Sequence, residues 1–244
     1  MNDDEDVPMT GTGDWARLLA GTATEGAGRP RRICTLCVEQ LDVTGAGISM
    51  VTAAGNRGVV CATDEVSARI EELQFMLGEG PAFDAVRSGA PALVPDLGEP
   101  DDVTAAQWPA FTEGATAAGV RALFAFPLRI GVIGVGALDL YRDRRGGLDG
   151  DQLTAASMAA DVAALALLDL DVGRDDLFAD DFDARATFQL QVHQATGMIQ
   201  IQLGVTTEQA FAMLRARAFA TGLPVVAVAT DVVERRLRFS EEDR

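Results

Sequence analysis

The chain has 244 residues, 48% of them hydrophobic, so it can bury a sizeable core in one large domain or two smaller ones. Its formal net charge of −17 argues against a nucleic-acid surface spread over the whole chain. No apolar run reaches 18 residues without a charge, and the first six residues are acidic, which argues against a membrane span and a secretory signal. We therefore expect a cytoplasmic protein.

The first predicted elements are short. Residues 1–13 form an acidic start that we expect to be disordered, and an amphipathic helix follows over 14–20. A helix over 33–41 is apolar on nearly every side, which predicts that it is buried. Residues 47–52 and 58–63 are predicted strands, because a hairpin turn signal, Ala-Gly-Asn-Arg-Gly, separates them.

Helices and strands continue to residue 170. Val66, Ile70, Leu73 and Leu77 recur with helical spacing. The further predicted elements are a short helix to 88, a Pro-bounded edge strand over 90–94, a helix over about 104–118, strands over 120–128 and 132–141 and a long helix over about 149–170. This order predicts an α+β domain, in which helices cover the faces of an antiparallel sheet.

Four segments of this region resemble the GAF domain, a cytoplasmic sensor fold. They are 77–81 (Leu-Gly-Glu-Gly-Pro), 90–96 (Ala-Pro-Ala-Leu-Val-Pro-Asp), 108–111 (Trp-Pro-Ala-Phe) and 119–128 (Gly-Val-Arg-Ala-Leu-Phe-Ala-Phe-Pro-Leu). The resemblance covers about residues 30–168. It implies a GAF-like sensor domain, assigned to residues 30–170 after an N-terminal segment 1–29, with a small molecule or a protein as its signal.

The sequence leaves the input of this domain open. Asp139 suits a polar group in a ligand pocket or a satisfied carboxylate at a strand end, and the second interpretation is favoured. Trp108 and Phe111 suit either a pocket lining or the core. No phosphate loop, dinucleotide fingerprint or nucleophile elbow is present, so we predict no cofactor and no catalytic residue.

Residues 171–183 contain six aspartates and are predicted to link two domains. They could instead continue the preceding helix into the C-terminal part. Like charges four residues apart weaken a helix by a few tenths of a kcal/mol per pair. We therefore predict a flexible joint, with helix resuming near residue 184.

The charge is distributed unevenly along the chain. Residues 1–183 hold 31 acidic residues and 13 arginines, a net charge of −18, whereas residues 184–239 hold six arginines and three acidic residues, a net charge of +3. Because salt screens charges within about 10 Å, each segment presents its own field. The C-terminal segment can therefore face an anionic partner that the rest of the chain repels.

Gly197 lies within a predicted helix, where glycine lowers the stability of the helix by roughly 1 kcal/mol relative to alanine. Phe188, Val192, Ala195 and Ile199 mark its apolar face. A second helix is predicted to begin at Thr206, capped reciprocally with Gln209. Ala210, Phe211, Leu214 and Ala218 are its predicted buried face, and a third helix begins at Pro224 and carries Val228, Val232 and Leu237.

These residues, with the Ala195-x-Gly197 motif and two arginines on the following helix, resemble the ANTAR domain. That family is a three-helix RNA-binding module of bacterial transcription antiterminators. The resemblance covers about residues 185–239, and we assign the module to 184–239. It implies that the module binds RNA hairpins in nascent transcripts, and the candidate RNA-binding residues are Arg185, Gln189, His193, Ala195, Thr196, Gly197, Arg215 and Arg217. The module departs from the family at Gln189, Thr196 and Gln202, where a basic residue is usual.

The cysteines suggest a different chemistry. Cys34 and Cys37 form a Cys-x-x-Cys pair that could be redox-active or bind a metal. A tetrahedral metal site needs about four ligands, and only Cys61 and His193 remain, in separate elements. Cysteines within an apolar helix usually behave as small core residues. We therefore predict that both belong to the core and that no metal is bound.

The sequence as a whole predicts an RNA-binding transcription antitermination regulator with a GAF-like sensor, rather than an enzyme. One alternative is a ligand- or partner-sensing dimeric scaffold whose C-terminal bundle only dimerises, and a second is a methionine sulfoxide reductase of GAF type. We also expect a homodimer, because the 149–170 helix carries more apolar surface than one sheet face should cover. The residues behind that expectation are Leu153, Ala156, Ala160, Ala163, Leu167 and Leu170.

Overall fold

The computed structural model describes residues 12–21, 28–51, 57–99, 107–170, 183–221, 223 and 225–240. The chain divides into two compact units, one within residues 1–172 and one that contains residues 173–244. Residues 1–11 and 171–182 lie outside the described residues, so disorder and a flexible joint stay predictions there. Thr12 and Gly13, which were predicted to be disordered, instead belong to the first helix, and Asp183 begins a helix of the second unit.

The first unit is built on a five-stranded sheet. Its strands are β1 (Gly45–Val51), β2 (Arg57–Ala62), β3 (Ala92–Val94), β4 (Ala122–Ile130) and β5 (Ile133–Arg142), and they lie in the order β2-β1-β5-β4-β3. β5 pairs antiparallel with β1 and β4, and β4 with β3. The predicted antiparallel sheet and the edge position of β3 are confirmed. The turn after β4 falls later than predicted, at Gly131 and Val132, where Gly131 adopts a φ of +62° that favours glycine.

Helices cover both faces of the sheet. They are α1 (Thr12–Gly21), α2 (Arg29–Gln40), α3 (Glu65–Leu77), α4 (Pro81–Ser88), α5 (Pro109–Ala117) and α6 (Gly150–Leu170). Along β4, Phe124, Phe126 and Leu128 pack in a core with α1, α2 and α6, whereas Leu123 packs on the opposite face with α3 and α5. The alternation follows from the period of two in a strand. Trp108 and Phe111 belong to that second core, as one of the two interpretations predicted.

Helix α6 is the one described helix long and apolar enough, by length and composition alone, to span a membrane, and 39% of its stretch 150–168 is buried. Its buried side chains pack in the same core as α2 and the sheet, as in a core helix of a globular domain. The apolar stripe predicted to be in surplus is largely covered, since Ala156, Ala160, Ala163 and Leu167 are buried. Among the described side chains of α6, the exposed large apolar ones are instead Leu165 and Leu168.

The second unit consists of three described helices, α7 (Asp183–Leu203), α8 (Thr207–Thr221) and α9 (Val225–Val233). The predicted reciprocal cap of α8 is confirmed: the Gln209 backbone N donates to Thr206 Oγ1 at 3.2 Å, and the Thr206 backbone N donates to Gln209 Oε1 at 3.0 Å. Among the described side chains of the three helices, the buried hydrophobic ones are Val192, Ala195, Ile199, Leu203, Ala210, Leu214, Ala218, Val225, Val228, Ala229 and Val232. Leu237 follows α9 instead of belonging to it, which corrects the predicted end of the third helix, and Phe211 is half-buried.

Candidate nucleic-acid interface

Helix α7 presents a buried side and an open side next to each other. Ala195 is fully buried, and Thr196 is 2% exposed, with its hydroxyl donating to the Val192 carbonyl of the same helix at 2.7 Å. Neither side chain can contact RNA in this structure, which differs from their prediction as site residues. Serine and threonine satisfy a buried hydroxyl in this way on helices, and the neutral Thr196 is therefore a core residue of the module.

Gly197 lies on the open side of α7. A Cβ atom built on it would find no neighbouring atom within 4 Å, so packing does not require glycine there. The residue lines an open groove of about 660 Å³. This Gly197 groove is lined by Gln194, Gly197, Met198, Gln200, Ile201, Gly204, Val205 and Val233. Gly197 therefore leaves a stretch of α7 backbone without a covering side chain at the surface of the module.

The two arginines of α8 differ from the expected pair of exposed cations. Arg215 lies over the Phe211 ring, with its guanidinium carbon 5.0 Å from the ring centroid, and burial lowers the pKa of its guanidinium. The guanidinium carbon of Arg217 lies 6.0 Å from the centroid of the Phe239 ring, and Phe239 belongs to the segment after α9. Both are half-buried, and they stack on aromatic rings within the module.

Three further arginines follow α9, and the sequence prediction did not assign them to the site. Arg236 forms ion pairs with Asp231, at 2.7 Å, and with Glu234. Arg235 and Arg238 are exposed and form no ion pair with any residue of the described ranges. Their number within a segment of net charge +3 was the signal that could have identified them.

Two glutamine side chains of α7 form hydrogen bonds with residues in and after α9. Gln202 accepts a hydrogen bond from the Phe239 backbone N at 2.9 Å, and Gln191 accepts one from the Thr230 hydroxyl at 3.0 Å. Gln202, one of the three positions where the family usually has a cation, therefore fixes the segment after α9. The side chains of Arg185, Gln189 and His193 lie outside the described residues, so their roles stay predictions.

A cluster of buried polar side chains lies in the first unit, on the face of the sheet below α3. Gln74 and Asp139 are both at most 3% exposed, and the Gln74 amide donates to the Asp139 carboxylate. The Gln74 oxygen accepts from the Ala82 backbone N at 2.8 Å. Asp139 lies within β5 and faces Gly47 of β1, so it is not a strand-end carboxylate. Glu71 fills the space above Gly47, where an added Cβ would lie 2.7 Å from its Oε1.

The cysteines lie on the opposite side of the sheet, in the core with α2 and α6. Cys34 and Cys37 are fully buried, which confirms their predicted place in the core. Burial raises the pKa of the Cys34 thiol well above its ordinary value and raises that of Cys37 to about 12. The Sγ atoms of Cys34 and Cys61 are 3.5 Å apart, a contact between α2 and β2 that the sequence did not predict.

The chain is similar to several solved structures, and one of them, with a TM-score above 0.5, supports the fold of the first unit. The GAF domain of an Acinetobacter phosphoenolpyruvate-protein phosphotransferase matches 69% of this chain and all of that domain, at 10% identity and a TM-score of 0.52. A type II free methionine-R-sulfoxide reductase from Thermoplasma acidophilum matches 62% of this chain and 94% of its own, at 16% identity and a TM-score of 0.44. A GAF domain/HD domain protein from Geobacter sulfurreducens matches 64% and 99%, at 12% identity and a TM-score of 0.43.

A family model matches each of the two units. The GAF domain model matches residues 31–168, more than half of the chain, and the ANTAR domain model matches residues 183–233. No curated protein sequence matches the chain. A sensor domain followed by an ANTAR domain is the organisation of a signal-sensing regulator. The chain therefore belongs to the GAF domain family, with an ANTAR domain following its sensor domain.

Proposed function

We propose that this regulator binds RNA through its ANTAR domain and promotes transcription past a terminator in response to a signal received by its GAF domain. The observation that carries the proposal is the ANTAR match at residues 183–233, a family whose members bind RNA in antitermination. The charge distribution supports it, because the anionic partner meets the segment of net charge +3 rather than the first 183 residues.

Within this module, the cations best placed for phosphates are Arg235 and Arg238. They are exposed, whereas Arg236 is held by two carboxylates, and Arg215 and Arg217 are stacked on rings. Phosphate contacts supply a large part of the affinity for nucleic acid and make it depend on salt. These two arginines therefore extend the candidate set drawn from the sequence.

A salt titration of the full chain against a leader RNA with two hairpins tests this proposal. Affinity should fall with salt at a log–log slope near −0.7 per phosphate neutralised, and Arg238→Ala should make the slope shallower by about 0.7. Arg236→Ala is the matched control, because it removes the same charge from a guanidinium already paired with Asp231 and Glu234. Absence of binding even at low salt would contradict the proposal and leave the dimerisation bundle as the alternative.

We further propose a homodimer. An RNA with two hairpins suits a protein with two copies of the module, and Leu165 and Leu168 are exposed one helical turn apart on α6, at 55% and 45%. Sedimentation velocity at micromolar concentration should give a dimer for the wild type and a monomer for the Leu165→Gln, Leu168→Gln variant. A wild-type monomer across that range would contradict the proposal.

We also propose that the protein acts in the cytoplasm, where transcripts are made, and that it regulates by binding rather than by catalysis. The buried thiols support it, since a nucleophilic cysteine needs access and a lowered pKa, and burial raises the pKa of Cys34 and Cys37. Turnover of methionine sulfoxide that is lost in Cys34→Ala would favour the reductase alternative instead.

A further inference from the structure

The segment after α9 is fixed to the module at both of its ends. At its start, Arg235 turns the chain with a φ of +62°, and the Leu237 backbone N donates to the Asp231 carbonyl at 2.9 Å. At its other end, Phe239 is 4% exposed, and its backbone N donates a hydrogen bond to a side chain of α7. Arg235 and Arg238 are exposed on this segment, so their backbone positions are set by the fold of the module.

Three acidic residues follow this segment almost directly. Residues 241–244, the acidic segment, read Glu-Glu-Asp-Arg and carry a net charge of −2, next to the module of net charge +3. A chain advances at most about 3.6 Å per residue, so the Cα atoms of these three acidic residues lie within about 18 Å of the Arg238 Cα atom, whichever way the segment runs. On so short a tether, a carboxylate has an effective concentration of millimolar or above at a nearby guanidinium.

The arginines of the segment after α9 differ in the partners that they already have. Arg236 is paired with Asp231 and with Glu234. Arg235 and Arg238 form no ion pair within the part of the chain that the structure describes, although both are exposed. Charge complementarity and the short tether therefore direct the carboxylates of the acidic segment to these two guanidinium groups.

We propose that the acidic segment pairs with Arg235 and Arg238 in the RNA-free protein and competes with RNA phosphates for them. Carboxylate and phosphate oxygens accept the same charge-assisted hydrogen bonds from a guanidinium, so one arginine cannot serve both fully. The segment therefore lowers the affinity of the module for RNA, and an RNA binds only when it displaces the carboxylates. This inference rests on the proposed RNA binding and adds an autoinhibitory contact at the same site.

The test measures the affinity of the whole chain for a hairpin RNA at low salt. Neutralisation of the acidic segment by Glu241→Gln, Glu242→Gln and Asp243→Asn should raise the affinity about fivefold, the effect expected for the loss of two exposed ion pairs. The same neutralisation is then made in a background with Arg235→Ala and Arg238→Ala. There it should change the affinity by less than twofold, because the carboxylates have no arginine left to release.

A matched control separates pairing from a change in net charge. Glu65→Gln, Asp151→Asn and Asp161→Asn remove the same charge from three exposed positions of the GAF unit and should change the affinity by less than twofold. A second measurement replaces RNA by heparin, a polyanion without bases. The wild type should elute from a heparin column at lower salt than the variant with the neutralised acidic segment, and this difference should disappear in the background that lacks both arginines.

The possible failures separate the two proposals. Absence of RNA binding by every variant at low salt would overturn the proposed function, and the heparin elution would then decide the autoinhibition. Equal RNA affinity of the wild type and the neutralised variant, or their elution together where RNA does not bind, would overturn this inference. A gain that persists without Arg235 and Arg238, or that the GAF control reproduces, would overturn it as well. A gain that grows with protein concentration would assign the arginines to the acidic segment of a second copy and overturn pairing within one chain.

Discussion

The two units keep their chemically active groups in opposite places. In the GAF unit, the cysteines and the cluster of Glu71, Gln74 and Asp139 are inside, where they contact each other or the backbone. In the ANTAR unit, the groove and the exposed arginines are on the surface, while the buried described side chains are aliphatic ones, Phe239 and Thr196. The first unit thus encloses its reactive side chains, whereas the second presents arginines and a groove at its surface.

Glycines show the same contrast. Gly136 of β5 is buried, and a Cβ on it would lie 2.1 Å from the backbone carbonyl oxygen of Ser49 in the neighbouring strand. Gly197 has open space at the same position. The same substitution to alanine should therefore have opposite effects in the two units, and this difference gives the strongest test of the comparison.

The largest expected effect is that of Gly136→Ala. The added methyl group meets backbone atoms, which cannot move aside as a flexible side chain can. The strands β1 and β5 must therefore separate, and the free energy of unfolding of the GAF unit should fall by about 3 kcal/mol or more. Urea unfolding followed by circular dichroism measures this change. Gly150→Ala is the control in the same unit, where the added Cβ meets nothing within 4 Å. Equal stability of the two variants would contradict the tight strand contact.

A smaller loss is expected from removing the buried thiols. Cys34→Ala combined with Cys37→Ala should lower the free energy of unfolding by roughly 1–3 kcal/mol, because two buried sulfur atoms are replaced by cavities. RNA affinity should not change, since the thiols lie in the other unit. Stoichiometric zinc in the purified wild type would contradict the assignment of these cysteines to the core.

The pH dependence of stability should reveal the same burial. The pKa of Cys37 is raised to about 12 in the folded chain, so its thiolate forms first in the unfolded chain, and stability falls as pH rises from about 9. Its share is at most about 1.4 kcal/mol per pH unit. Urea unfolding of the wild type and Cys37→Ala between pH 8 and 10.5 measures it. If the free energy of unfolding of the two proteins changed with pH in the same way, the pKa of the Cys37 thiol would not be raised in the folded chain.

The smallest effect has the opposite sign. Gly197→Ala should stabilise the ANTAR unit by about 1 kcal/mol, because alanine is the better helix former and finds open space. Thermal unfolding of the C-terminal helices measures the gain. Gly204→Ala is the control, since Gly204 has a φ of +63° just after α7, and a side chain there should cost about 1 kcal/mol. A loss of stability in Gly197→Ala would show that packing, not the groove, requires the glycine.

Local patterns were enough to predict most elements of the fold. The alternation along β4 separates Phe124 and Phe126 from Leu123, because side chains point to alternate faces of a strand. The Thr206 and Gln209 cap is likewise a relation between residues three apart. The order of helices and strands then limited the topology to an antiparallel sheet with covered faces.

Contacts between distant residues could not be predicted in this way. Cys34 meets Cys61 across 27 residues, and Gln202 bonds the backbone of Phe239 across 37. Arg142, at the end of β5, is 4% exposed because its guanidinium donates to the carbonyls of Asp42 and Gly147, both at 2.8 Å. No periodicity marks such partners. For the same reason the sequence placed Thr196 and Arg215 on the RNA-facing surface, although one is buried and the other stacks on Phe211.

The burial of all three thiols also makes the folded chain convenient to label. The sequence has three cysteines, and each is enclosed in the GAF unit, so an introduced thiol on the surface would react with maleimide reagents without removal of the native ones. Ile201, 85% exposed at the rim of the Gly197 groove, is a suitable position. A fluorophore on Ile201→Cys would report occupation of the groove directly, in the otherwise unaltered protein.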